Sequence, residues 1–333
     1  MADYKGIQGY SVQKLSSDPT AADTVGQLWY NSTSNVWKLS AQGAGAWASG
    51  VALNTARKNL GTSQAGTQTS TLAFGGNDGS LVKITEQYNG SAWTEVGDLN
   101  TARENPAGAG IVTAALGFSG YISPALFQDI TESYNGTSWT EVGDLNMPGN
   151  QRAGCGSQTA AICFGGRAPA ESPANLDETE TWNGTSWTEG NNLNTPRYQL
   201  AAAGTSTAGL GTGGTNAAVY MAVCEKYDGT CWTEEADLNT GREELAGCGA
   251  TNTAALVFGG GSTPTAYSTI TESWNGTAWT EVADLATAIG AAAGVGSSSL
   301  GLCTGGSTFP GTLQSATEEW NDPSYTIKTV TVS

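Results

Sequence analysis

The sequence predicts an all-β fold, a β-propeller of six four-stranded antiparallel blades. Two observations lead to this prediction. A pattern of the form T-E-x-[Tyr/Trp]-[Asn/Asp]-G-[Ser/Thr]-x-Trp-Thr returns about every 46 residues. An apolar run closed by small residues, in most copies a Gly pair, lies upstream of each copy. A period of this size with a Gly pair and a distal Trp is typical of propellers.

The pattern recurs through most of the chain and is degraded in its last copy. Its copies are Thr85–Thr94, Thr131–Thr140, Thr179–Thr188, Cys224–Thr233, Thr271–Thr280 and Thr317–Thr326. The apolar runs are Ala73–Gly76, Gly117–Gly120, Cys163–Gly166, Gly211–Gly214, Val257–Gly260 and Cys303–Gly306. A seventh blade would need its own Ala- and Gly-rich inner segment, and none precedes Trp47. We therefore prefer six blades to the alternative of seven.

Each repeat is expected to supply four strands. The first is built of Ala, Gly and Cys, as in Ala107–Leu116, because strands that crowd around the propeller axis suit small side chains. The second is apolar and ends in Gly, which allows close backbone approach. The third and fourth are joined by Asn-Gly, which predicts a hairpin with a type I′ turn. The fourth begins with a Trp that we expect to pack between blades. These structural Trp residues are Trp93, Trp139, Trp187, Trp232 and Trp279.

Two segments compete for the outer strand of the last blade. Trp47 precedes the first full repeat at the spacing of a fourth-strand Trp, and Tyr325 occupies the equivalent position of the sixth repeat. Either the amino-terminal strand closes the blade and the tail Ser324–Ser333 adds an edge strand, or the tail closes it. We divide the chain into an amino-terminal β-hairpin arm, residues 1–45, and a propeller, residues 46–333. The arm is expected to attach the protein to a partner through Trp29, Tyr30 and Trp37.

Composition restricts the partners. The formal net charge of -17 disfavours nucleic acid and anionic lipid surfaces. No stretch is apolar over the roughly 18 residues that span a bilayer, and the first residues lack a signal-peptide pattern. The cysteines mostly replace small residues of the repeat, so we interpret them as buried thiols, with disulfides or metal ligation as the alternative. They are Cys155, Cys163, Cys224, Cys231, Cys248 and Cys303. Cys224 and Cys231 flank one hairpin and form the one pair worth testing for a disulfide.

The sequence offers little catalytic chemistry. It contains no His, which removes the usual base for Ser or Cys nucleophiles and the commonest metal ligand.

One Glu recurs at the same position of every repeat, at Glu86, Glu132, Glu180, Glu225, Glu272 and Glu318. An Arg recurs at Arg57, Arg103, Arg197 and Arg242, with Gly149 and Ile289 in the other two copies. We expect these charges to pair, and Asp98, Asp144, Asp237 and Asp284 to cap turns, with calcium ligation as the alternative. No catalytic residue, cofactor or metal is predicted.

Function is expected where the repeats differ. The segments between each Gly pair and the next repeated Glu vary in length and sequence, and they carry five aromatic residues that we predict to bind a partner: Tyr121, Phe127, Tyr220, Tyr267 and Phe309. The Asn-Gly turns and the Leu-Asn-Thr-Ala-Arg links are expected to cover the opposite face. The alternative is that these segments are only tolerated loop variation on a scaffold.

These motifs resemble the Kelch repeat: an apolar strand ending in Gly-Gly, then a Tyr, then a Trp, once per four-stranded blade. The resemblance covers about Leu53 to Thr331 and departs from the Kelch pattern in its short Tyr-to-Trp interval, as from Tyr88 to Trp93. The likeness to copper-dependent Kelch oxidases fails because the chain has no His. The Leu-Asn-Thr-Ala-Arg link and the segment Gly26–Lys38 look like those of Kelch-like virion proteins of marine tailed bacteriophages.

The resemblance implies a non-enzymatic virion component, assembled in the host cytoplasm, as a tail fibre, tail-associated or capsid-decorating protein. Other virion proteins would bind the arm, a host-surface glycan or protein would bind the variable face, and a homo-oligomer is compatible with this assignment. The alternatives are a purely structural decoration without a receptor and, from a different class, a carbohydrate-active enzyme that uses Asp and Glu pairs on host polysaccharide.

Overall fold

A computed structural model describes residues 13–19, 26–42, 45–123, 126–169, 175–322 and 325–330. Within these ranges the regular secondary structure consists of β-strands. The chain forms two compact units, Met1–Ala46 with Asp322–Ser333, and Trp47–Asn321. The division into an arm of residues 1–45 and a propeller of residues 46–333 stays a prediction. By contacts, the carboxy-terminal tail belongs to the first unit.

The strands fall in the following chain order. They are β1 Gln13–Leu15, β2 Leu28–Asn31, β3 Val36–Gln42, β4 Ala46–Ser49, β5 Gly61–Thr62, β6 Thr71–Phe74, β7 Thr85–Tyr88, β8 Trp93–Glu95, β9 Ala107–Ile111, β10 Ala114–Phe118, β11 Tyr121–Ser123, β12 Leu126–Phe127, β13 Thr131–Tyr134, β14 Trp139–Glu141, β15 Ala153–Ser157, β16 Ala160–Phe164, β17 Thr179–Trp182 and β18 Trp187–Glu189. They continue with β19 Ala201–Thr205, β20 Ala208–Thr212, β21 Cys224–Tyr227, β22 Trp232–Glu234, β23 Ala246–Thr251, β24 Ala254–Phe258, β25 Gly261–Thr263, β26 Ala266–Tyr267, β27 Thr271–Trp274, β28 Trp279–Glu281, β29 Ala293–Gly296, β30 Leu300–Thr304, β31 Ser307–Thr308, β32 Thr312–Leu313, β33 Thr317–Asn321 and β34 Tyr325–Thr329.

Each repeat of the second unit forms one four-stranded sheet among the described residues. The sheets are β5-β6-β7-β8, β9-β10-β13-β14, β15-β16-β17-β18, β19-β20-β21-β22, β23-β24-β27-β28 and β29-β30-β33-β4. The all-β propeller prediction is confirmed. The last sheet combines three strands from the end of this unit with β4 from its beginning, so the amino-terminal strand that carries Trp47 closes the ring.

The innermost strands explain the Ala- and Gly-rich segments. Strands β5, β9, β15, β19, β23 and β29 contact one another in a closed cycle around the axis. A Cβ added to Gly108 would lie 2.1 Å from the Thr62 carbonyl oxygen of the neighbouring sheet. At Gly154 a Cβ would lie 2.5 Å from the Phe118 ring. Side chains larger than hydrogen therefore cannot occupy these positions without moving a neighbouring sheet.

Each fourth strand of the first five sheets begins with one of the five predicted Trp residues, and the structure buries all of them. Trp187 packs edge-on against Phe118 of the preceding sheet, with ring centroids 4.9 Å apart. Its indole N–H donates to the Thr131 hydroxyl of that sheet at 2.9 Å. The same bond links Trp139 to Thr85, Trp232 to Thr179 and Trp47 to Thr271. These four Trp residues thus hold adjacent sheets together through packing and one hydrogen bond each.

Trp279 departs from this scheme because Cys224 replaces the Thr acceptor. Its buried indole N–H therefore faces the Cys224 thiol, a weak acceptor, in place of a hydroxyl. We expect Cys224→Thr to raise the free energy of unfolding by about 1 kcal/mol, because it supplies a hydroxyl acceptor. Urea unfolding measures this change. The control is Thr179→Cys at the equivalent position, which should lower stability by a similar amount. A loss of stability in Cys224→Thr would contradict the assignment.

The Asn-Gly hairpins differ from the predicted type I′ turns. Within the Asn135–Ser138 connection, Gly136 has a φ of 93°, and Asn135 is not among the residues with positive φ. The Asn135 side-chain oxygen instead accepts from the backbone N–H groups of Thr137 and Ser138, at 3.0 Å each. The type I′ prediction was wrong, because the Asn side chain satisfies the turn donors and only Gly adopts the left-handed conformation.

The first unit is a small sheet in the order β1-β2-β3-β34. Strand β1 is parallel to β2, and β34 is antiparallel to β3. Trp29 is buried and donates to Asp18, while the rings of Tyr30 and Trp37 meet edge-on at 5.5 Å. The predicted hairpin arm is therefore present as β2 and β3. Its first residues, 1–12, lie outside the described residues. The tail neither closes nor extends a propeller sheet, because β3 pairs with it.

Candidate functional site: the variable face of the propeller

The repeated Glu and Arg residues hold the links between sheets in place. Glu86 is fully buried and accepts from Arg57 and from the backbone and side chain of Asn54. Equivalent pairs are Arg103–Glu132 at 3.3 Å, Arg197–Glu225, and Arg242–Glu272 at 3.0 Å. The predicted pairing is confirmed. These carboxylates are saturated by structural donors, so they are not candidates for ligand binding.

Two repeats lack the Arg and differ in how they replace it. In the third repeat Arg152, three residues after Gly149, reaches Glu180 at 3.2 Å. A Cβ on Gly149 would lie 2.8 Å from the Arg152 side chain, so Gly at this position makes room for it. In the sixth repeat Ile289 replaces the Arg, and the backbone N–H of Ala286 donates to Glu318 at 2.8 Å. No pattern in the sequence signalled the Arg152 replacement, since the two arginines lie at different repeat positions.

Three of the four repeated Asp residues cap the start of a third strand. Asp98, Asp144 and Asp284 each accept from the backbone N–H of the Thr that begins it, at 3.1–3.3 Å. This is the expected capping role. The described residues contain no group of three or more Cys, Asp or Glu side chains placed to hold a metal ion.

Six residues, one per repeat, line the mouth of the axial channel, and we call them the axial ring. All have φ of 54–55°, a left-handed conformation that is uncommon outside Gly. They are Asn59, Asn105, Gln151, Gln199, Glu244 and Ala291. Five backbone hydrogen bonds connect them in sequence around the axis, for example from Asn105 N to Asn59 O at 2.8 Å. The ring is interrupted where Gln151 N donates to the Asn150 side chain instead. Backbone strain of this kind clusters at functional sites.

The channel below the axial ring is closed by one side chain. Gln64 reaches across the axis, and its amide nitrogen donates to the carbonyl oxygens of Ala202 and Gly247 at 3.0 Å each. Thr62 donates to the amide oxygen of the same side chain at 3.3 Å. The axial ring therefore surrounds a depression of about 140 Å³, and a ligand there would approach from that one side.

The variable segments begin beside the axial ring. The residue before each ring member forms a β-bridge with the start of a variable segment, as Glu104 does with Tyr121 and Asn150 with Arg167. The Leu-Asn-Thr-Ala-Arg links lie on this same face, since Leu99 N donates to Lys83 O and Arg103 N to Val82 O. Their predicted place on the opposite face was wrong. In a four-stranded antiparallel sheet the second and fourth connections leave from the same end, whereas the Asn-Gly turns leave from the other.

The structure gives the five predicted aromatic residues different environments. Tyr121 and Tyr267 are half-buried, and their hydroxyls donate to Glu104 and Glu244 at 2.8 Å each. Phe127 pairs with Tyr121 across the β11–β12 hairpin, with ring centroids 6.5 Å apart. Tyr220 is half-buried, and Phe309 is 51% exposed in the β31–β32 hairpin. Of these five residues, only Tyr121 and Phe127 line the same pocket in the part of the chain that the structure describes.

That pocket, which we call the Glu104 pocket, has a volume of about 260 Å³. Its lining residues are Asn59, Glu104, Asn105, Tyr121, Phe127, Asn150, Gln151 and Arg167. Apart from the two aromatic residues, none of them was predicted from the sequence. A signal was present: an amide or acidic side chain follows the repeated Arg by two residues in four repeats, at Asn59, Asn105, Gln199 and Glu244.

Burial and the neighbouring carboxylates raise the pKa of Tyr121 and of Tyr267 to about 12. Burial also raises the pKa of Glu243, which lies beside Glu244. A phenol with a raised pKa stays protonated at neutral pH, so it is a poor nucleophile and acts as a hydrogen-bond donor. The arrangement of amides, tyrosine hydroxyls and carboxylates is thus suited to binding polar molecules.

Ionisation of Tyr121 tests this environment. The pKa of the phenol in the folded state lies above its ordinary value of 10.0. The contribution of the protonated Tyr121 phenol to the stability of the fold is therefore fully present below pH 10, and it is lost as the pH rises towards 12. In an alkaline absorbance titration, the difference between the unmodified chain and the Tyr121→Phe variant is the tyrosinate signal of Tyr121. This signal should have its midpoint near pH 12. Circular dichroism at each pH verifies that the fold persists. A midpoint at the ordinary value would contradict the contact with Glu104.

The cysteines take no part in the site. All six are free thiols, and all but Cys231 are buried. Cys224 is buried and Cys231 is exposed at the Asp228 turn, so the pair that flanks this hairpin is not bridged. Burial raises the pKa of Cys155, Cys163 and Cys248 to about 12, which makes these thiols unreactive at neutral pH.

Among the described residues, no helix is long and apolar enough to span a membrane.

No protein-family model and no curated protein sequence matches this chain. The resemblance to the Kelch repeat therefore rests on sequence motifs alone. The chain is similar to the solved structure of YjhT, a β-propeller-like fold, with a TM-score of 0.68 at 12% sequence identity. The match covers 84% of this chain and 99% of that one. At this identity the likeness establishes the fold.

Proposed function

We propose that this protein is a non-enzymatic component of a tailed-phage virion that recognises a host-surface molecule or another virion protein through the variable face of its propeller. One observation carries the proposal: the variable segments and the axial ring bring aromatic rings, amides and carboxylates together on one face. The other face carries turns of one pattern, Asn-Gly in four repeats and Asp-Gly in a fifth. Repeats that serve only as scaffold have no need of this asymmetry, which favours recognition over decoration without a receptor.

The likeness of the Leu-Asn-Thr-Ala-Arg link and of Gly26–Lys38 to Kelch-like phage proteins supports the virion assignment. The first unit would provide the attachment, since Trp37 exposes 40% of its surface there. A homo-oligomer joined through this unit is one form the attachment can take. The alternative from a different functional class is a carbohydrate-active enzyme. The hydrogen-bonded pairs Tyr121–Glu104 and Tyr267–Glu244 favour it. The raised pKa values of both phenols argue against it, because they disfavour the phenolate.

Mass spectrometry of purified particles tests the virion assignment: the intact chain is expected among the structural proteins. A truncated chain without residues 1–45 and 322–333 should remain soluble but no longer join the particle. This truncation removes β1, β2, β3 and β34 together and retains β4, which completes the last propeller sheet. Normal incorporation of the truncated chain would overturn the attachment role.

Binding of the purified chain to whole host cells tests recognition. Joint replacement of Phe127, Tyr220 and Phe309 by Ser should abolish it, because these rings are the contact area that the variable face offers. Tyr121 and Tyr267 stay unchanged in this variant, because their hydroxyls bond Glu104 and Glu244. Thr137→Ala on the opposite face is the control and should bind as the unmodified chain does. Equal binding of the triple variant would overturn the role of these three rings, and a lack of binding by the unmodified chain would support decoration without a receptor.

A further inference from the structure

We infer that the Glu104 pocket binds one neutral pyranose ring, so that the recognised molecule is an uncharged polysaccharide. This inference rests on the proposed recognition function and names its ligand class. With a volume of about 260 Å³, the pocket is smaller than those that enclose drug-sized ligands, which start at roughly 300 Å³. It therefore suits a single sugar ring of a longer chain better than a large compact ligand.

The polar groups of the pocket are fixed in place and have unused hydrogen-bonding capacity. Glu104 is 3% exposed and accepts from the Asn59 and Asn77 amides and from the Tyr121 hydroxyl. An ionised carboxylate has about four acceptor positions, so roughly one remains. The side-chain oxygen of Gln151 is buried and has no hydrogen-bond partner among the described residues. Sugar hydroxyls both donate and accept, and they can satisfy both groups at once.

One wall of the pocket is aromatic. The rings of Tyr121 and Phe127 are inclined at 59° to each other and are half-buried on one hairpin. The Tyr121 hydroxyl is held by Glu104, which fixes its ring before any ligand arrives. A pyranose presents apolar C–H groups on one face and hydroxyls around its edge. An aromatic wall opposite amides and a carboxylate matches both parts of such a molecule.

The charges favour a neutral sugar. Arg167 is the cation of the pocket, and its guanidinium lies 4.8 Å from the Tyr198 ring centroid. Glu104 provides one opposite charge, so the two formal charges of the lining cancel. The net charge of -17 on the whole chain repels acidic polymers at a distance. An uncharged polysaccharide meets neither this repulsion nor the cost of burying a ligand carboxylate beside Glu104.

The pocket also breaks the repeat. The position of Arg167 is occupied in the other copies by Asn77, Tyr121, Thr215, Gly261 and Ser307. Within the described residues, an aromatic pair like Tyr121 and Phe127 occurs in the variable segment of the second repeat only. Features that serve only the propeller recur in most repeats, as the Glu–Arg pairs do. A combination found once is what a binding site for one ligand requires.

Calorimetric titration of the full chain with glucose, galactose, mannose, N-acetylglucosamine and glucuronate tests the inference. At least one neutral sugar should bind, with a dissociation constant on the order of 1 mM, and more tightly than glucuronate. Phe127→Ala should weaken this binding by about tenfold or more. Leu126→Ala is the matched control: Leu126 lies on the same strand, is 55% exposed and does not line the pocket. Its affinity should stay within about twofold.

Each other outcome has a distinct meaning. Tighter binding of glucuronate overturns the assignment of a neutral ligand. Equal affinities for the Phe127→Ala and Leu126→Ala variants, both with unchanged melting temperatures, show that the sugar binds elsewhere. If no sugar binds but the unmodified chain still binds host cells, the sugar assignment is wrong and recognition stands. Loss of both kinds of binding overturns the proposed function as well.

Discussion

Arg197→Leu is expected to lower the free energy of unfolding by about 3–5 kcal/mol. The guanidinium is fully buried and bonds Glu225, Thr195 O, Gly211 O and Gly213 O. Without it the Glu225 carboxylate keeps only its neutral amide donors, and two buried carbonyl oxygens lose their partner. An uncompensated buried charge is the main cause of the cost. Urea unfolding followed by circular dichroism measures it.

The sixth repeat supplies the control for this prediction. Glu318 has Ile289 where four of the other repeats have an Arg, so Glu318→Gln breaks no buried ion pair. It should cost about 1 kcal/mol. The double variant Arg197→Leu with Glu225→Leu should recover part of the loss, because it removes both charges together. If Arg197→Leu cost no more than Glu318→Gln, the buried pair would not stabilise the fold as we describe.

Trp187→Ala should cost about 3–5 kcal/mol, since it opens a cavity between two propeller sheets. The ring is 5% exposed and packs against both Phe118 and Trp182. The change also leaves the Thr131 hydroxyl without its indole donor. Trp37→Ala in the first unit, where the ring is 40% exposed, is the control and should change stability by about 1 kcal/mol or less. Similar losses in both variants would contradict the inter-sheet role of Trp187.

The repeat-level features were predictable because each is a local pattern that recurs. Inner strands must be small, so Ala and Gly mark them wherever they occur, as at Gly108. The pairing of the repeated Glu and Arg could be expected because both recur with the same period. The turn type was predicted wrongly, since the Asn-Gly pair does not reveal whether the Asn side chain will cap the turn itself.

The Glu104 pocket could be predicted only in part. Tyr121 and Phe127 stood out as aromatic residues of a variable segment, but Asn59, Gln151 and Arg167 come from the first and third repeats. Their meeting depends on how neighbouring sheets pack, which no pattern along one repeat records. The same holds for Gln64, whose side chain bonds the fourth and fifth repeats across the axis.

By itself the sequence determined the all-β propeller, its repeat, its inter-sheet Trp residues and its lack of His chemistry, because these depend on residue type and period. Tertiary structure decided which terminal segment closes the ring. Trp47 and Tyr325 occupy equivalent repeat positions, and only long-range strand pairing separates them: β4 joins β33, whereas β34 joins β3. It also decided that Arg152 replaces an absent Arg, since a guanidinium three residues away reaches Glu180 only in the folded chain.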